Sequence, residues 1–136
     1  MFRKIIVAVD LIHLERGRRI LERAKALADS GGEIVLVNVV EDVPGYLAID
    51  LPGDVIEKNL KNALADLEAM AAGAELKITS EVRTGPPARN ILAAASEHEA
   101  DLIIVASHRP DISNYFLGST ADRVVRHAHV SVLVDR

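Results

Sequence analysis

At 136 residues with no cysteine, the chain is sized for one domain, residues 1–136, and has no means of forming disulfides, thiol nucleophiles or zinc–thiolate sites. A formal net charge of −4 argues against a non-specific nucleic-acid binder, and an aromatic content of 3% leaves few platforms for stacking unpaired bases. No apolar run approaches the roughly 20 residues that span a bilayer, and the start Met1-Phe-Arg-Lys is too short for a signal peptide, so a cytoplasmic protein that engages neither membrane nor nucleic acid is expected.

Residues 4–10 form a continuous run rich in β-branched side chains, as expected of a strand buried on both faces. In residues 15–29, Ile20, Leu21, Ala24, Leu27 and Ala28 fall on one helical face, and Ser30-Gly31-Gly32 is expected to end that helix. Gly17 weakens its first turn by about 1 kcal/mol relative to alanine. Residues 33–40 read as a second strand. The irregular stretch from Glu41 to Gly53 reads as a loop with apolar anchors, shaped like a flap over the sheet edge.

Asp54 is the expected cap of a longer helix to about Ala72, with Val55, Ile56, Leu60, Ala63, Leu64, Leu67 and Ala71 inward and Gly73 closing it. Residues 75–83 alternate as an edge strand does. Thr84-Gly85-Pro86-Pro87 then feeds a helix to about Glu99, with Ile91, Leu92 and Ala95 inward. Residues 102–106 and 130–134 are the last two strands, separated by a polar loop, a Gly-Ser-Thr turn and a short helix. This alternation of strands and helices predicts an α/β fold: a doubly wound, five-stranded parallel sheet with helices on both faces.

In such sheets ligands bind beyond the carboxyl ends of the strands, where the strand order reverses. Asp10 is placed there and can accept from a ribose hydroxyl or an adenine amino group; the plain alternative is an acid bonding the amides of its own turn. Gly118-Ser119-Thr120 opens the last helix, where free N–H groups and the positive dipole end favour phosphate, and the plain alternative is an ordinary N-cap. His108 and Arg109 follow the fourth strand, and an arginine can grip phosphate with two donors; Pro110 and Asp111 after it also fit a simple turn. No metal site is read from His108, His127 and His129, which lack ligand spacing. The Walker loop, the Gly-x-Gly-x-x-Gly fingerprint and the Gly-x-Ser-x-Gly elbow are absent, and no catalytic residue is assigned.

The segments IIVAVD, VLVNVVED, VRTGPPARNIL and DLIIVASHRPDISNYFLGSTADRVVRHAHVSVLV together resemble the universal stress protein family over essentially the whole length. The resemblance implies strand order 3-2-1-4-5, a role in the stress response, and in one branch ATP (or AMP or ADP), with Mg as an optional companion, at the carboxyl edge. That branch carries a glycine, two residues, a second glycine, nine residues, then Gly-Ser or Gly-Thr. Here Ala106 stands at the first glycine, Arg109 at the second, the spacer is one residue short, and Gly118-Ser119 match the final pair.

By this resemblance Ala8, Val9, Asp10 and Val39 line the base and ribose, Ala106 lies near the ribose, and Gly118, Ser119 and Thr120 lie near the phosphates. His108 and Arg109 supply charge in place of the missing loop amides. It also implies a homodimer joined through the last strand, Val130 to Val134. Two rivals stay open: a dimeric interaction module without nucleotide, and a slow ATPase or self-phosphorylating enzyme. A third, a nucleotidyl transferase, lacks its His-x-Gly-His or Ser-Gly-Gly-x-Asp signature.

Overall fold

In the computed structural model, which describes residues 1–41, 53–107 and 117–136, the β-branched runs form one sheet and the amphipathic runs cover both of its faces. In chain order the elements are β1 (Phe2–Ala8), α1 (Leu14–Leu27), β2 (Ala28–Val40), α2 (Gly53–Ala71), β3 (Lys77–Thr84), α3 (Pro87–Glu97), β4 (Leu102–Ala106), α4 (Ser119–His127) and β5 (Ser131–Asp135). The strand order is β3-β2-β1-β4-β5 and every pairing is parallel, the topology expected from the resemblance.

Alternation along the central strands divides the core in two. Ile5, Val7, Ile34, Leu36 and Ile104 face α1 and α2, where Ile20, Leu21, Ala24 and Leu67 meet them. Ile6, Val35, Ile103 and Val105 face α3 and α4, against Ile91, Ala94, Ala121 and Val124. Each large apolar side chain buried this way contributes about 1.5–3 kcal/mol. Both faces being covered explains why β1 and β4 read as unbroken apolar runs.

Several boundaries differ from the sequence expectation. Helix α1 ends at Leu27, and Ala28 is already extended and paired with Phe2, so Ser30-Gly31-Gly32 does not cap it. The register jumps from Phe2↔Ala28 to Lys4↔Glu33, and the glycines serve that irregularity. A Cβ on Gly32 would lie 2.9 Å from the Asp29 carbonyl oxygen and 3.2 Å from that of Arg3. Asp54 lies within the first turn of α2 and not ahead of it, and Val55 and Ile56 stay exposed. The reason is that α2 packs chiefly on edge strand β3, so its buried stripe is narrow: Ala63 and Leu67. The last strand is Ser131–Asp135, one residue later than expected, which draws Asp135 into the protein. Among the described residues no helix is long and apolar enough to cross a membrane.

Candidate functional site

Because all strands run the same way, Ala8, Val40, Thr84, Ala106 and Asp135 end at one edge of the sheet. The chain leaves β1 towards β2 on one side and returns through β4 on the other, so the order reverses between β1 and β4. The helices that follow these two strands lie on opposite faces, α1 after β1 and α4 after β4, and a crevice opens between them. A cavity of about 440 Å³ lies there, within the range typical of small-molecule pockets.

Six of the ten residues singled out from the sequence line this cavity: Ala8, Val9, Asp10, Val39, Ala106 and Thr120. Gly118 and Ser119 stand at its α4 side without being part of the lining: Gly118 is the N-cap, and Ser119 is the exposed first residue of the helix. Gly118 has φ −61 and ψ 156, extended backbone open to any residue, so no turn requires glycine there. His108 and Arg109 lie outside the described residues, as does most of the proposed 41–53 flap.

Asp10 takes the turn role weighed for it and also borders the cavity. Its Oδ1 accepts the Ile12 N–H at 2.9 Å, and its carbonyl accepts the His13 N–H at 3.2 Å, closing the turn into α1. The same carboxylate is half-buried and lines the cavity. Two bonds from β2 fix its position. The Val9 N–H donates to the Val37 carbonyl at 2.8 Å, and the buried Asn38 donates from Nδ2 to the Val9 carbonyl at 2.9 Å. The strand pairing is thereby carried past the end of β1, holding Asp10 at the rim.

Across the cavity, α4 begins without a side-chain cap among the described residues. The Asp122 N–H closes the first turn on the Gly118 carbonyl at 2.9 Å, while the opening amides have no intrahelical partner by construction. They and the helix dipole make the Thr120–Ala121 wall a place for negative charge. The ordinary Ser or Thr N-cap weighed from the sequence is not what forms, since both residues lie inside the helix.

Two contributors, Asn38 and Arg16, escaped the sequence reading, while Glu41 stood among the strand-end groups it placed at this edge. Asn38 sits inside an apolar strand run, where a lone amide passes as a tolerated polar residue. Glu41 lines the cavity just beyond β2. Arg16 reaches the lining from α1, and Nη1 lies 3.5 Å from the Ser107 carbonyl. The spacing of Arg16, Arg19 and Arg23 was the available signal for the last, since steps of three and four place them on one helical face. Gly17, beside Arg16, is explained by close approach: a Cβ there would lie 3.1 Å from Val9 Cγ1 and 3.2 Å from Met70 Cε. The absence of a side chain at Gly17 lets α1 sit tight against the end of β1.

Comparison with known proteins agrees with this architecture. The model of the universal stress protein family matches residues 1–136. Universal stress protein G of Shigella flexneri is 32% identical, with all of both chains covered. Among solved structures, hypothetical protein MJ0577 superposes with a TM-score of 0.81 at 22% identity, covering 99% of this chain and 96% of that one. A universal stress protein in complex with cAMP superposes with a TM-score of 0.59 at 20% identity, covering 99% and 97%. At these identities the two structures speak for the fold alone. The family match over the whole length and the sheet order together establish that the chain belongs to the universal stress protein family, with its role in the stress response.

Proposed function

We propose that the protein is an adenine-nucleotide receptor, taking ATP, or AMP or ADP, into the crevice between β1 and β4 and acting as a regulatory dimer. The observation that carries this reading is the convergence of Asp10 and the amino-terminal turn of α4 on one cavity of about 440 Å³. An acid for the nucleoside and uncapped amides for the phosphates face the same space, with apolar walls from Ala8, Val39, Val105 and Ile91 between them. The complex of a universal stress protein with cAMP supports the same ligand class. The dimer is supported by β5, the sheet's terminal strand, whose outer edge offers backbone groups for pairing with a second copy. Binding then shifts conformation or partner affinity, the kind of output a receptor needs.

A second reading, an interaction module without nucleotide, is favoured by one observation: an Asp10 oxygen already serves the Ile12 amide of its own turn. Calorimetric titration with ATP separates the two. Saturable binding by the intact chain, weakened at least tenfold by Gly118→Glu with the thermal unfolding midpoint kept, supports the receptor. That variant sets a carboxylate against the amides of α4. Absence of binding, or ATP affinity indifferent to Gly118→Glu, overturns it.

A further inference from the structure

We infer that Arg16 is the residue that reads the anionic end of the ligand, and that it does so from the opposite face of the sheet to α4. This rests on the nucleotide reading above and names its charge specificity.

Among the described residues lining the cavity, Asp10 and Glu41 carry negative charge, and Arg16 is the one permanently positive side chain. His13 is the other basic group present. A polyanion entering a space with two carboxylates needs a fixed cation, and guanidinium is always charged and presents five donors in a planar fork. The α4 amides supply only partial charges.

The three arginines on that face of α1 have different occupations. Arg19 and Arg23 both close on the buried Asp135 carboxylate at the end of β5, at 3.1 Å and 2.9 Å. Arg16 has no carboxylate among the described residues. Among the described residues it reaches the Ser107 carbonyl at 3.5 Å, at the outer limit of a hydrogen bond. That contact is loose enough to exchange for a phosphate oxygen.

Ser107 is also the residue that follows β4, and its N–H donates to the Asp135 carbonyl at 2.7 Å, so its position is fixed by the sheet. Arg16 therefore waits at the point where β4 leaves the sheet, across the crevice from Thr120. An anion there is gripped from both faces, by a guanidinium from the α1 side and by amides from the α4 side. Such a clamp offsets the glycine missing from the loop after Ala106.

The test is titration of the full chain with adenosine, AMP and ATP, for the wild type, Arg16→Gln and Arg16→Lys, alongside thermal unfolding. The expected result for Arg16→Gln is ATP affinity at least tenfold weaker and adenosine affinity within twofold of wild type. Arg16→Lys keeps the charge but loses the fork, and falls between. Wild-type ATP binding left intact by Arg16→Gln overturns this inference while the receptor reading stands. Equal loss of adenosine and ATP assigns Arg16 to structure and overturns it as well. A wild type that binds neither ligand overturns the receptor reading and this one with it. Should Arg16→Gln fail to fold, Arg16→Lys decides: a threefold or greater loss confined to the phosphorylated ligands supports the role, and unchanged ATP affinity overturns it.

Discussion

Arg19 donates from Nε and Nη2 to Asp135 Oδ2, at 3.4 Å and 3.1 Å, joining the second turn of α1 to the end of β5 across 116 positions of sequence. The Asp135 side chain is 0% exposed, whereas the two arginines are half in solvent. Arg23 Nη1 also lies 2.9 Å from Oδ1, but among the described residues that oxygen has no aligned hydrogen bond, so Arg23 acts through charge and Arg19 through directed donors. Removing one arginine leaves the carboxylate paired, and removing both leaves a buried charge uncompensated. Arg19→Ala is expected to cost about 1 kcal/mol and Arg23→Ala less. The double variant is expected to lose about 3 kcal/mol, more than the sum. A double-mutant cycle by urea unfolding checks this; strict additivity counts against a shared carboxylate.

Glu99 follows α3 with φ of 54°, and it is the one residue other than glycine with positive φ among those described. Its N–H reaches the Ser96 carbonyl at 3.2 Å, and the Ala100 N–H reaches that of Ala95 at 2.9 Å, the paired bonds of a Schellman stop. Glycine usually fills that position, since a Cβ in the left-handed region costs about 1–2 kcal/mol. Glu99→Gly removes the strain and adds chain entropy to the unfolded state. The expected net gain is about 0.5–1 kcal/mol, read as a raised unfolding midpoint with nucleotide titrations unchanged.

The parallel sheet and two-faced core were legible because they follow from local patterns: apolar runs of strand length, amphipathic stretches of helix length, and the rule that parallel crossovers are right-handed; the strand order came from the family resemblance. What sequence could not show depends on partners far along the chain. Ala28 leaves its helix because Phe2 pairs with it. Asp135 reads as the start of a charged tail, yet two arginines from α1 draw it inside. In the candidate site, Asp10 and Thr120 were legible from their places at strand and helix ends. Arg16 was not, because a cation on a helix surface reads as solvated until the sheet brings Ser107 beside it.

Asn38 is expected to affect binding without lining the ligand's charged end. Its Nδ2 holds the Val9 carbonyl at 2.9 Å, one residue before Asp10. Asn38→Leu leaves that buried acceptor unpaired, at a cost of about 1–3 kcal/mol, and frees the β1 tip to shift. Adenosine affinity should fall as well, because the acid no longer stands at a fixed height above the sheet. Calorimetry alongside urea unfolding checks both; stability lost with adenosine affinity kept separates Asn38 from the positioning of Asp10.

At the opposite edge of the sheet, Asp101 accepts the backbone N–H groups of Arg3 at 2.9 Å and Lys4 at 3.0 Å, tying the entry of β4 to β1. Burial alone would raise its carboxyl pKa, but these amides, its own N–H and the Arg3 charge outweigh it. The net value lies below the ordinary 3.8. A carboxyl held lower in the folded than in the unfolded chain adds stability that is fully present above the unfolded value and is lost as the pH falls through the folded one. Asp101→Asn keeps an acceptor but gives up the charge, costing about 1–2 kcal/mol at neutral pH. That difference from wild type should begin to shrink as the pH drops towards 3.8, and vanish below the folded pKa. Urea unfolding of both proteins between neutral pH and the acid limit measures it. A gap that stays constant on acidification would show that the loss is one of shape and not of the ionised carboxylate.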